Sequence, residues 1–150
     1  MTELIVTAEQ RIEAPAPLVR RQFGDVAHHE STGLHRDATF RVISDDGIRC
    51  RYQQTTRVGP LHLRQEFELE RRSEGPLVNR ILKGQFTGGA ISFDVVAESE
   101  SNALVTATLT APLRGPQRLA SPLLRRRIRR SLRAALVEDK HDLERGSYPA

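Results

Sequence analysis

Asp139 is an acid on an otherwise apolar helical stripe. Leu124, Ile128, Leu132, Ala135, Leu136 and Leu143 recur at intervals of three and four, the spacing of one buried helix face. At about 100° per residue, Asp139 falls within that stripe, between Leu132 and Leu143 on one side and Ile128 and Ala135 on the other. An ionised carboxylate is costly to bury unless it is paired, hydrogen-bonded or bound to a metal. An internal ion pair with one of the chain's many arginines would satisfy it. So would a metal centre or a catalytic site, where such carboxylates also cluster.

The nitrogen donors that could meet it are concentrated in one segment. His28, His29 and His35 lie within Asp25-Val26-Ala27-His28-His29-Glu30-Ser31-Thr32-Gly33-Leu34-His35. On a short helix Asp25 and His28 share a face, while His35 follows the bend at Gly33. Two imidazoles from this segment and the Asp139 carboxylate would make a two-histidine, one-carboxylate facial site. That donor set suits Fe(II) and leaves positions open for other ligands. Solvated or locally hydrogen-bonded surface imidazoles are the plainer reading.

These groups are far apart in the chain, so the elements between them must bring them together. Residues 3–13 alternate apolar and polar as a half-buried strand. Ala14-Pro15-Ala16-Pro17 ends it and opens a short helix through Phe23, and Asp25 to Thr32 reads as a second short helix. Strands follow at 37–44, 48–58, 61–72, 77–87, 90–98 and 103–113. Their turns are Asp45-Asp46-Gly47, Gly59-Pro60, Glu74-Gly75-Pro76 and Gly88-Gly89. Ile48, Cys50, Tyr52 and Val58 share one face of their strand, and Leu61, Leu63, Phe67 and Leu69 one face of the next. Ser121 is expected to cap the last helix, with Pro122 at its first position and Gly146 just past its end. Short turns between consecutive strands imply an antiparallel meander. The predicted fold is α+β: a curved seven-stranded antiparallel sheet gripping a long C-terminal helix, with two short helices after the first strand.

That order resembles the helix-grip superfamily of START, SRPBCC and polyketide cyclase/dehydrase-like domains, over nearly the whole of residues 1–150 as a single domain. Ile12-Glu13-Ala14-Pro15-Ala16-Pro17-Leu18-Val19 is the segment most typical of it. The resemblance implies a cavity between sheet and terminal helix that holds a small, mostly apolar molecule. The histidine segment is further similar to the catalytic domain of Rieske-type aromatic-ring oxygenases. Their pattern is Asp, two residues, His, then usually four residues and a second His, closed by an Asp on the terminal helix. Asp25 and His28 match the opening and Asp139 the close, so the resemblance implies His28, His35 and Asp139 as ligands of a mononuclear Fe(II). The departures are the gap of six residues from His28 to His35, or five from His29, and the lack of a cysteine-histidine cluster for an iron–sulfur centre. Electrons would then have to come from a redox partner protein.

Inward polar residues suit such a cavity. Gln54 and Thr56 share a face with Tyr52, Gln65 lies between Leu63 and Phe67, and Gln10 lies between Ala8 and Ile12. Buried amides need partners, which are either one another or a ligand. Tyr52, Gln54, Gln65, Phe67, Phe93, Ile128 and Leu132 are the candidate ligand-binding residues. A metal-free pocket of this kind fits a polyketide cyclase/dehydratase-like enzyme or a carrier of lipids or other small molecules.

The remaining chemistry is sparse. All but Lys83 and Lys140 of the 23 basic residues are arginine, and the net charge is +4. Arg118, Arg125, Arg126, Arg127, Arg129, Arg130 and Arg133 form a run with no acid among them. It suits a solvated helix face, phosphate, an anionic lipid headgroup, or an acidic partner that an accessory subunit would dock. Glu138, Asp142 and Glu144 are placed to pair with arginines on neighbouring turns. Few aromatics and no reader motif argue against sequence-specific nucleic-acid binding. The lone Cys50 excludes an internal disulfide and reads as an inert core thiol. No apolar run reaches the ~18 residues of a membrane helix, and no secretory signal is visible, which points to the cytoplasm.

Overall fold

The computed structural model describes residues 3–146 together with 148 and 149. The elements follow the predicted order: β1 (Glu3–Ile12), α1 (Ala16–Phe23), α2 (Val26–Thr32), β2 (Ala38–Asp45), β3 (Arg49–Val58), β4 (Leu61–Glu70), β5 (Leu77–Lys83), β6 (Ala90–Ala97) and β7 (Ala103–Pro112). A short 3₁₀ turn, Gly115–Arg118, leads into α3 (Ser121–Glu144). The strands form one antiparallel sheet in the order β1-β7-β6-β5-β4-β3-β2. Chain order is kept from β2 to β7. β1 then closes against β7 in register, with Leu4 opposite Ala111 and Val6 opposite Leu109.

Alternation along each strand decides which face is buried. Leu4, Val6, Ala8 and Ile12 of β1, and Ala103, Val105, Ala107, Leu109 and Ala111 of β7, are buried. The helix α3 crosses this face and packs closely on β1, while few of its residues approach β3. The small inward residue Ala8 lets the helix come close on the β1 side. On the other side Tyr52 and Phe67 line the wall instead, and a space remains between sheet and helix.

Four details depart from the sequence reading. The strand expected over 77–87 stops at Lys83, because Gly84 (φ +121°) turns the chain against β4. A Cβ at Gly84 would lie 2.7 Å from Gln65 Cγ and 2.9 Å from the Arg64 carbonyl. Ser121 does not cap α3; Ala120 occupies that position with no side-chain bond, although Pro122 is in the first turn as expected. Ile48 is 63% exposed, since it sits in the Asp45–Arg49 hairpin turn before β3 begins. Leu61 is 39% exposed because it opens β4, at the hairpin end of the strand.

A histidine-carboxylate centre at the wall of an interior cavity

The space between sheet and α3 is a cavity of about 150 Å³. Tyr52, Gln54, Gln65, Phe67, Phe93, Ile128 and Leu132 all line it. Gln10 does not: its side chain turns outward to the Arg11 carbonyl near the end of β1. One wall is aromatic, with Tyr52 stacked on Phe67 (5.2 Å between ring centres) and Phe40 tilted against Tyr52. The polar wall groups hold each other. Tyr52 Oη donates to Asn79 Oδ1 (2.7 Å), Gln54 Nε2 donates to Thr56 Oγ1 (2.8 Å), and Gln65 Oε1 accepts from the Phe86 amide (3.2 Å). Burial pushes the Tyr52 phenol well above its usual range, so it stays protonated. Cys50 lies in the core rather than at the wall, and burial pushes its thiol up to about 11, as an inert thiol requires.

One part of the wall is different in kind. The short helix α2 begins with Asp25, whose carboxylate accepts from the His28 amide (3.1 Å), and ends at Gly33 in the left-handed conformation (φ +59°). That turn sends His35 back toward α3, so His29 and His35 stack with ring centres 5.2 Å apart. Asp139 is 4% exposed and stands beneath both rings. Its Oδ1 lies 3.0 Å from His29 Nε2 and 3.3 Å from His35 Nε2, and accepts from Gln22 Nε2 at 3.0 Å.

The predicted trio is therefore corrected at one member. His35 and Asp139 meet, but His28 does not join them. Neighbouring helical positions point about 100° apart, so His29 faces the cavity and His28 faces the other way. His28 Nε2 instead meets Asp142 Oδ2 at 2.8 Å. Asp142 is a second buried acid on α3, which the reading of a single acid on the stripe did not anticipate. Gln22, fully buried on α1, bridges the two carboxylates, donating also to Asp142 Oδ2 at 2.9 Å. Its amide oxygen Oε1 is buried with no partner among the described residues. The expected helix-surface pairs with arginine do not form. Glu138 meets His35 Nδ1 (3.1 Å) and accepts from the Arg36 amide, Asp142 is taken by His28 and Gln22, and Glu144 accepts from Lys140 and the Glu13 amide.

The partners constrain the protons. His29 Nδ1 faces the Asp25 carbonyl at 2.8 Å, an acceptor only, so it carries hydrogen. Its Nε2 faces a carboxylate, again an acceptor. His35 is in the same position, with Glu138 at Nδ1 and Asp139 at Nε2. Each ring thus needs a second proton or a cation between it and Asp139. Burial acts against charge on His35, but hydrogen bonds and attraction from Asp139 and Glu138 outweigh it and hold its pKa above the usual value. Burial alone would raise the Asp139 pKa. The two imidazoles outweigh it and hold the carboxyl down at about 2.

His29, Gln22, Asp142 and Asn79 were missed as site residues in the sequence. For His29 the signal was present, since it is adjacent to His28 and one residue nearer to His35. For Gln22 there was none beyond a polar residue on a short, largely apolar helix.

No protein-family model matches the chain. No curated protein matches it in sequence. Solved structures do match. A protein of Thermus thermophilus superposes with TM-score 0.84 at 21% identity, over 95% of this chain and 99% of that one. The Zhui aromatase/cyclase from Streptomyces sp. R1128 gives 0.81 at 12% identity, over 99% and 98%. A START superfamily protein from Mycobacterium smegmatis gives 0.79 at 12% identity, over 94% and 97%. The likeness extends over nearly the full length of each, and the fold is that of the helix-grip proteins.

Proposed function

We propose that this chain binds a small, mostly apolar molecule in the cavity beneath α3, with a polar end of the molecule directed at His35 and Asp139. The observation that carries this is the composition of the wall. Aromatic and aliphatic side chains form most of it, their polar neighbours are internally paired, and one charged centre remains at one side. Such an arrangement binds by apolar burial and orients by a few polar groups. A void of about 150 Å³ lined in this way accommodates at least a single aromatic ring. The likeness to an aromatase/cyclase and to a START superfamily protein supports the same use of the cavity. Native mass spectrometry of freshly purified protein, and displacement of an apolar fluorescent dye by small aromatic compounds, test it. A dye that binds no better than to the unfolded chain would end this reading.

A second reading concerns what sits among the rings, and the acceptor-to-acceptor contacts favour it. His29, His35 and Asp139 each offer a ligand atom within 4.8 Å of the others. The outer nitrogens of the two rings are held by the Asp25 carbonyl and the Glu138 carboxylate, the support that metal-binding imidazoles usually have. The residues therefore fit a divalent ion, and this donor set fits Fe(II). Bound there, Fe(II) would supply redox chemistry at open coordination positions beside the cavity. The protein's own part is to orient both rings, exclude water with Phe40 and Tyr52, and offset the ion's charge with Asp139. Metal analysis of anaerobically purified protein tests this against His29→Ala and His28→Ala. Iron retained by the wild type and His28→Ala but lost from His29→Ala is the expected result. Equal, negligible metal in all three would leave the metal-free form, in which His35 is the proton donor that a cyclase or dehydratase would use.

A further inference from the structure

We propose that the outer face of α3, with the turn that precedes it, docks on an anionic lipid surface. Arg118, Arg125, Arg126, Arg127, Arg129, Arg130 and Arg133 take no part in any ion pair among the described residues. Several of the chain's acids are taken by other arginines, such as Asp45 by Arg71 and Glu66 by Arg51. The seven arginines therefore form a positive patch with no ion-pair partner of its own among the described residues.

Apolar residues break the surface at the end of this field. Leu119, which ends the 3₁₀ turn just before α3, is 89% exposed, and Leu123, in the first turn of α3, is 53% exposed. Leu123, Arg126, Arg130 and Arg133 share one helical stripe, opposite the Ile128, Leu132 and Asp139 stripe that faces the cavity. The β3–β4 turn lies beside it, because a Cβ at Gly59 would meet Arg127 Cδ at 3.2 Å. Partly exposed Leu61 follows that turn, at the first position of β4.

This combination selects among anionic partners. An acidic protein would be matched by the arginines alone and would leave Leu119 and Leu123 unused. Nucleic acid would be served by aromatic stacking groups, and the stripe has none. A bilayer with anionic headgroups uses both features: phosphates neutralise the guanidinium groups while leucines enter the acyl boundary. The helix that would lie on the lipid also walls the cavity, so an apolar ligand would have a short path between bilayer and protein. The surface does not depend on what occupies the cavity.

The test is co-sedimentation of the purified protein with vesicles of phosphatidylcholine, alone or mixed with phosphatidylglycerol. Binding is expected only to the mixed vesicles and should fall steeply with added salt. Each arginine near such a surface contributes about fivefold in affinity, so Arg126→Glu/Arg130→Glu/Arg133→Glu should lose on the order of a hundredfold or more. Leu119→Ser/Leu123→Ser should lose several-fold at unchanged salt dependence. Circular dichroism and melting of both variants verify that they fold, and Arg49→Glu, exposed at the opposite end of β3 from the Gly59 turn, serves as a charge control. Equal binding by wild type and the triple variant overturns the proposal. So does retention on immobilised polyglutamate without vesicle binding, which would assign the face to an acidic protein.

Discussion

His29 Nε2 lies 3.0 Å from Asp139 Oδ1, on a ring whose other nitrogen is already committed to the Asp25 carbonyl. Geometry therefore commits the pair to carrying a positive charge between ring and acid, as a proton or as a metal. Removing the acid takes away the buried acceptor that His29, His35 and the Gln22 amide share. Asp139→Ala is expected to destabilise the metal-free protein by about 3–5 kcal/mol, measured by urea unfolding. Asp139→Asn should cost clearly less, because its amide can donate to a neutral Nε2. If the two substitutions cost the same, the charge assignment fails.

The same pairs set a pH window. The His35 pKa is raised in the fold, so its contribution is complete below the unfolded value of ~6.5 and is lost as pH rises through the raised value. Asp139 is depressed to about 2. Its contribution is complete above the unfolded value of ~3.9 and is lost as pH falls toward the folded one. From these two groups, stability of chelator-treated protein is highest between about pH 4 and 6.5. Melting curves across pH should show a fall on both sides. His35→Gln should flatten the alkaline limb and Asp139→Asn the acidic one. An alkaline limb unchanged in His35→Gln would refute the assignment to that ring.

The architecture was legible because each element carries its own signature. Alternation in β1 and β4, the Asp45-Asp46-Gly47 turn, and the period of Leu124, Ile128, Leu132 and Leu136 are local facts that the sheet and α3 follow. The burial of Asp139 followed from the same period. Which histidine reaches it did not. His28 and His29 differ by one step on a short helix, and the choice is made by how α2 rolls against α3 once Asp25 caps it. Sequence spacing carries no information on that rotation. Glu138 and Asp142 were read as partners for arginines on their own helix, yet long-range contacts to His35, His28 and Gln22 win. A buried carboxylate gains far more from a close donor inside the fold than from an exposed guanidinium.

Gln22 offers a sharper test of the centre. Its NH2 group serves two carboxylates, which leaves Oε1 buried and unmatched. Reversing the amide would face an oxygen to both acids, so the orphan oxygen is the lesser cost. Gln22→Met removes both bridging donors and should destabilise by about 1–3 kcal/mol at neutral pH. Gln22→Glu places a third carboxyl between two others and should be worse, by several kcal/mol, with partial recovery when the melt is repeated near pH 5. A Glu variant as stable as wild type at pH 7 would mean that Asp139 and Asp142 are not both ionised.

Ligand binding and stability separate between the packed β1 side and the cavity side of the fold. Leu4 on β1 is fully buried in the closely packed half of the fold and does not line the cavity, whereas Leu132 does. Leu4→Ala should therefore open a void in a packed region and destabilise by about 2–5 kcal/mol while leaving dye affinity per folded molecule unchanged. Leu132→Trp adds volume where space already exists, so its cost should stay within about 1–3 kcal/mol, yet it should lower affinity for an apolar dye at least about tenfold. Urea unfolding and fluorescence titration on the same preparations give both quantities. Were Leu132→Trp to bind the dye as wild type does, the molecule would have to bind somewhere other than between sheet and helix.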